Sequence, residues 1–299
     1  MSLPRRARRS HRNLCVLCVL CGSLIVLSLA AQRATQPARR IVSLVPNVTE
    51  MLFAVGAGSQ VVGVSSYDDF PAETKSLPRV GALLDPDTER IFSLRPDLVV
   101  VYGSQTELEG QFSRTGIRVY PYRHGGIEDV VQAIRDVARL TGHAAEGDRV
   151  VGDMQMQFAA IRARVRGLPR PKTMVVIGRD TGELRGVYAS GGVGFLHDIL
   201  DIAGGEDMFA DQKREAVQPS NETMIVRAPQ VILELHAGDA PAPAVLQKER
   251  AAWNQLGSVP AVRNNRVHLL YGGYLLAAGP RLGRAAETLA RLVHPEAFK

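Results

Sequence analysis

The 299-residue sequence has only three cysteines, and all of them, Cys15, Cys18 and Cys21, fall before residue 32. The rest of the chain therefore has no thiol nucleophile, thiolate metal site or disulfide, which suits an oxidising compartment. Aromatic residues make up 5% of the chain, and its one tryptophan, Trp253, is read on an outer helix. There is no Gly-x-Ser-x-Gly elbow, no His-Glu-x-x-His pair and no phosphate loop with Lys-Ser/Thr, so several common enzyme chemistries lack their residues. Gly56-Ala-Gly58 and Gly191-Gly-Val-Gly194 are glycine-rich but complete no dinucleotide fingerprint. His124, His143, His197, His236, His268 and His294 are scattered, and no two stand at metal-ligand spacing. Asp68-Asp69 reads as a turn rather than an acid–base pair. Neither an enzyme nor a resident metal is expected.

Acid is missing from the first 31 residues, which hold Arg5, Arg6, Arg8, Arg9 and Arg12. The formal charge of the whole chain is +6, so five of those charges sit in the leader and the remainder carries 31 basic against 30 acidic residues. A near-neutral body without basic-aromatic runs excludes nucleic acid as the expected partner. The basic stretch precedes an apolar run, Leu14 to Ala31, that ends in small residues. Residues 1–34 read as a signal peptide of the general secretory route, directing the body to the periplasm. The run has 18 residues, near the lower limit for a spanning helix, so an uncleaved anchor is the alternative. The leader cysteines are apolar filler. Leu17 and Leu20 precede Cys18 and Cys21 where a lipidation signal needs a small residue.

From Ile41 onward short Val/Ile-rich runs alternate with helical patterns, the mark of buried strands in an α/β layer fold. Strands are predicted at 41–45, 61–65, 98–102, 117–120, 173–177, 231–235 and 267–271. Helices are predicted at 48–55, 127–140, 196–203 and 282–292, with Gly56 and Gly204 placed as C-terminal caps. Glu89-Arg-Ile-Phe-Ser-Leu-Arg-Pro96-Asp-Leu-Val-Val-Val101 echoes Glu222-Thr-Met-Ile-Val-Arg-Ala-Pro229-Gln-Val-Ile-Leu-Glu234. In both, an acid opens a short helix, proline follows seven residues later, and a buried strand begins two residues after that. Phe53–Gly58 against Leu200–Gly205, and Arg118-Val-Tyr against Arg266-Val-His, repeat the order. The chain thus divides into two similarly built halves, 39–143 and 169–299. Between them 144–168 forms one helical pattern, with Val150, Val151, Met154, Phe158, Ile161 and Val165 at three- and four-residue steps. A stiff connecting helix allows less hinge motion than flexible strands.

Three stretches carry a family likeness: Arg40-Ile-Val-Ser-Leu-Val-Pro-Asn-Val-Thr-Glu50, Val62-Gly-Val-Ser-Ser-Tyr67-Asp-Asp-Phe-Pro71, and Glu89 with Arg95-Pro-Asp-Leu-Val99. With Gly204–Phe209, Gly279-Pro-Arg-Leu282 and Leu292-Val-His-Pro-Glu296, they resemble the helical-backbone substrate-binding proteins of ABC importers, which serve cobalamin, ferric siderophore and haem uptake. The chain is most similar to the cobalamin branch, over about Arg39 to Glu296. The resemblance implies two Rossmann-like α/β lobes joined by a single long helix, with the ligand in the cleft between them. It implies that Glu89 and Glu222 dock onto permease arginines. Their ordinary role, helix N-terminal charge stabilisation, is worth about 0.3–1 kcal/mol each. Asn47, Tyr67, Leu83 and Tyr102 from the first lobe, and Tyr188 and Tyr274 from the second, align with ligand-contacting places. A tyrosine offers a flat apolar face and a polar tip against a macrocycle edge.

The expectation is a monomeric periplasmic binding component that captures a cobalamin-like corrinoid and delivers it to the permease. A corrinoid or iron complex would be cargo, and no cofactor is expected. The same-class alternative is a haem or ferric-siderophore receptor. Haem would take an axial ligand from Tyr67 or Tyr102. An anionic siderophore would need cleft arginines, for which Arg79, Arg123, Arg179, Arg185 and Arg281 are the candidates. The different-class alternatives are a membrane-tethered sensor domain and an exported enzyme.

Overall fold

The computed structural model describes residues 36–299; the leader read over residues 1–34 lies outside them. In the first half, β1 (Ile41–Ser43), α1 (Pro46–Ala54), β2 (Val61–Val64), α2 (Thr88–Ser93), β3 (Leu98–Tyr102), α3 (Thr106–Arg114), β4 (Arg118–Tyr122) and α4 (Ile127–Thr141) follow one another. Their strands form a parallel sheet ordered β2-β1-β3-β4. Ile41, Val42, Leu98, Val99 and Val100 are buried on both faces, as a parallel sheet covered by helices requires.

After α5 (Ala144–Val165) the second half runs β5 (Lys172–Gly178), β6 (Tyr188–Ser190), α6 (Phe195–Ile202), β7 (Glu206–Asp207), β8 (Ala216–Val217), α7 (Asn221–Arg227), β9 (Val231–His236), α8 (Pro243–Ala252), α9 (Pro260–Arg263), β10 (Val267–Tyr271) and α10 (Leu282–Val293). Its sheet is ordered β10-β9-β5-β6-β8, with β7 also on β5. β10, β9 and β5 are parallel, whereas β6 and β8 are antiparallel additions. The mixed α/β architecture of two lobes with parallel sheets is therefore the one expected.

The connecting helix α5 is 22 residues long, about 33 Å at 1.5 Å per residue. Its buried stripe of Val151, Met154, Phe158 and Ile161 belongs to one continuous core. That core takes Val130 and Ile134 from α4 on one side and Leu200 and Leu289 from α6 and α10 on the other. The lobes thus share apolar packing along the helix, which resists their separation.

Observed strands begin and end within about two residues of their predicted limits. α3 and α9, together with β6, β7 and β8, have no counterpart among the predicted elements, while α8 is the outer helix read near Trp253. α3 buries only Leu108 and Phe112 among polar neighbours, so its periodicity is faint. β6 and β8 are too short for an alternation to register. Trp253 opens a 3-10 turn directly after α8 and is buried at 1% exposure. It turns inward because its indole N–H donates to Glu234 Oε2 at 2.7 Å. Among the described residues, no helix is long and apolar enough to cross a membrane.

Candidate functional site

In parallel α/β sheets ligands gather beyond the carboxyl ends of the strands. Here those ends meet across the lobes. Tyr102 and Tyr122 are register partners at the ends of β3 and β4, with ring centroids 6.4 Å apart. Tyr122 leads to His124 at 6.3 Å, and His124 meets Phe195 of the second lobe edge-on at 5.4 Å. A row of aromatic rings therefore crosses from one lobe to the other. Beside it lies a cavity of about 230 Å³ lined by His124, Ile177, Phe195, Leu196 and Leu276 among others. Two hydrogen bonds fix this floor: Phe195 N–H donates to the Gly125 carbonyl at 3.1 Å, and Ile127 N–H to Asp198 Oδ2 at 2.8 Å.

The residues singled out from the sequence distribute unevenly around that cleft. Asn47 is half-buried near the start of α1, and its amide opposes the upward push of burial on the Tyr122 phenol, which reaches about 12. Tyr67 is 76% exposed on the loop after β2. Leu83 is exposed, and its carbonyl accepts from Gln105 Nε2 at 3.0 Å. Tyr102 is half-buried; burial, then the Asp68 charge, raises its phenol above the ordinary value, away from the phenolate that iron prefers. Tyr188 is exposed at the first residue of β6. Tyr274 is engaged elsewhere: its hydroxyl pairs with Thr288 Oγ1 at 3.2 Å, and Arg284 lies 4.1 Å above its ring.

Four of the five candidate arginines are held by the protein itself. Arg79 donates through one nitrogen to the carbonyls of Ser65 at 2.9 Å and Asp68 at 2.6 Å. Arg179 is buried between Glu234 and Glu249, each 2.8 Å away. Arg185 pairs with Glu183 at 2.6 Å on the surface. Arg281 forks onto Glu50. Arg123, just past the end of β4, is exposed and makes no ion pair among the described residues.

Asp68 closes the expected turn, its N–H donating to the Ser65 carbonyl at 3.2 Å, and is also sealed from water. It is 3% exposed, and neither carboxylate oxygen makes a hydrogen bond. Burial pushes its carboxyl up to about 7 despite the neighbouring Thr49 and Arg79. Sequence reasoning also passed over Tyr122, His124, Phe195 and Glu50; for the first three a position at or just past a strand or helix end was the available signal, whereas Glu50 lies in the middle of α1 and offered none. At the end of β9, His236 Nε2 lies 3.0 Å from Glu234 Oε1, and the ring stacks on Tyr271 at 4.5 Å. Among the described residues, no group of three or more His, Cys, Asp or Glu is placed to hold a metal ion.

Glu89 and Glu222 both occupy first turns of short helices and both are exposed. Asp87 caps the first helix by accepting from Arg90 N at 2.9 Å, and Ser220 caps the second by accepting from Thr223 N at 3.2 Å. Hydrogen bonding from Ser220 holds the Glu222 carboxyl below its usual range. The repeated acid-opened helix is thus a real feature of both lobes.

Comparison with known proteins agrees with this geometry. The vitamin B12-binding protein of Salmonella typhimurium is 29% identical over 269 residues, covering 89% of this chain and 94% of that one. An ABC transporter substrate-binding lipoprotein of Bacillus subtilis is 26% identical over 266 residues, covering 87% of this chain and 82% of the relative. The solved periplasmic vitamin B12-binding protein of Vibrio cholerae shares the fold with a TM-score of 0.72 at 22% identity, over 88% of this chain and 99% of that one. The apo periplasmic haem-binding protein of Roseiflexus sp. RS-1 has a TM-score of 0.72 at 28% identity, over 87% and 99%. By name these relatives are binding proteins for vitamin B12 or haem, or the substrate-binding component of an ABC transporter. Residues 41–272 match the family model described as periplasmic binding protein, and the chain belongs to that family, the substrate-binding components of ABC importers.

Proposed function

We propose that this protein captures a cobalamin-like corrinoid in the cleft between its lobes and delivers it, as a monomer, to an ABC permease. The observation that carries this reading is the cleft's chemistry: an aromatic and aliphatic floor, with four of five candidate arginines already bound to protein partners. Such a floor favours a large, weakly charged macrocycle held by shape and ring contact over a polyanionic siderophore. The named relatives that bind vitamin B12 support the same choice. Asn47, Tyr67, Leu83 and Tyr102 line the first lobe's side and Tyr188 the second. Tyr274 is held away from the ligand by Thr288 and Arg284 of α10. Calorimetric titration with cyanocobalamin tests the assignment; absence of heat and of any thermal shift at high micromolar ligand overturns it.

Haem is the second reading, favoured by the exposed Tyr67 phenol and the relation to a haem-binding protein. A shifted Soret band on adding haem, lost in Tyr67→Phe, would select it. Glu89 and Glu222 meet basic residues of the permease, one acid per lobe. The leader is removed near Ala30–Ala34, leaving a free periplasmic protein. Mass spectrometry of the exported N-terminus separates cleavage from an anchored form.

A further inference from the structure

Helix α1, which carries Asn47, and the loop after β2, which carries Tyr67, are both gripped from the other lobe by one side chain. Arg281, the residue before α10, donates from Nε to Glu50 Oε1 at 2.9 Å and from a terminal nitrogen to Oε2 at 2.8 Å. Glu50 lies on α1 one turn beyond Asn47, and its side chain is only 6% exposed. The same guanidinium lies 3.8 Å above the ring of Phe70, three residues beyond Tyr67. Gly279 of the second lobe lies in ordinary packing contact with the same helix: a Cβ there would stand 3.7 Å from the Asn47 carbonyl oxygen and 3.6 Å from Glu50 Oε1.

A planar fork that pairs bidentately and stacks at once fixes both distance and angle. We infer that Arg281 is an interlobe positioning residue: through Glu50 and Phe70 it holds the Asn47 and Tyr67 faces at a set spacing from the second lobe, and so governs ligand affinity without touching ligand. A buried ion pair is a weak source of net stability, whereas a fixed register is a use to which such pairs are suited. The tie is separate from the one at Gly125–Ile127 and Phe195–Asp198, which fixes the far side of the cleft floor.

The inference rests on the cleft reading above, so its test has one arm that needs no ligand. Amide hydrogen exchange on the full-length protein compares wild type with Arg281→Ala. Exchange is expected to rise roughly tenfold in segments 47–51 and 66–71, while Val99–Val101 at the centre of the sheet stays protected. Unchanged exchange in those segments, or an equal rise across the sheet, overturns the inference. In the second arm, cyanocobalamin is expected to bind Arg281→Ala about tenfold more weakly, through loss of preorganisation. Equal affinity in wild type and variant overturns it. If wild type itself fails to bind cyanocobalamin, the corrinoid reading falls and the exchange arm alone decides on Arg281. Should Arg281→Ala not fold, Arg281→Lys and Glu50→Gln are read instead. Lysine keeps the charge but loses the fork and the stack, so the same local pattern at smaller amplitude supports positioning and its absence refutes it.

Discussion

Arg179 Nε sits 2.8 Å from Glu234 Oε1, and each of these side chains is only 1% exposed. A second guanidinium nitrogen reaches Glu249 at 2.8 Å, and the indole of Trp253 completes the Glu234 carboxylate at 2.7 Å. An arginine at the end of a cleft-facing strand is thereby turned inward as the counter-charge of two buried acids. Arg179→Ala leaves both acids without it and is expected to cost about 3–5 kcal/mol. Urea unfolding followed by Trp253 fluorescence measures this directly, because no other tryptophan contributes.

Asp68 makes stability depend on pH in an unusual direction. Its carboxyl rises from 3.8 to about 7 in the folded protein through burial, so the native state holds a proton that the unfolded state has released. Between about pH 4 and pH 7 the native chain binds more protons, and stability falls as pH rises. Across that window the loss is at most about 4 kcal/mol. Asp68→Asn, which mimics the protonated form, should raise the Tm at pH 7.5 and flatten its decline over the same range. A profile identical to wild type would refute the prediction.

The tyrosines separate by how they are held. Tyr67 projects freely and Tyr274 is engaged by Thr288 and Arg284. Tyr67→Ala should weaken cyanocobalamin by about 0.5–1.5 kcal/mol, the value of an aromatic contact. Tyr274→Phe should leave affinity unchanged in calorimetry and cost about 0.5–1.5 kcal/mol of stability for one hydrogen bond.

Glu89 and Glu222 lie on separate exposed helices. Reversing both to Lys should abolish uptake in a transport assay and leave ligand affinity within about twofold, since opposite charge governs encounter more than cleft chemistry. A matching loss of affinity would place these acids in the cleft instead.

Much of this molecule was legible along the chain. The central parallel strands announced themselves because burial on both faces demands a Val/Ile/Leu run, as in Leu98–Val101 and Val231–Leu233. The acid-opened helices at Glu89 and Glu222 were visible because a repeat preserves local order. α5 was visible because an apolar stripe at helical spacing must face a core. The antiparallel additions β6 and β8 were not, being shorter than the period that would reveal them.

Local pattern and chain order were sufficient for the lobes, the connecting helix, the paired acids and the family. What they left open was the state of each charged or aromatic side chain at the cleft. Whether an arginine is free for a ligand depends on what stands within about 3 Å of it. For Arg281 that is Glu50, 231 residues away in sequence. For Arg179 it is two acids, Glu234 and Glu249, which the chain brings together from a strand and a helix end. The turn around Asp68 could be read in advance, but not that packing would seal the carboxyl from water, because desolvation belongs to the assembled surroundings and not to the residue. The same holds for the scarcity that marks this chain. A body without cysteine excludes thiol chemistry from composition alone, whereas the inward turn of its single tryptophan required the carboxylate of Glu234 to be in place.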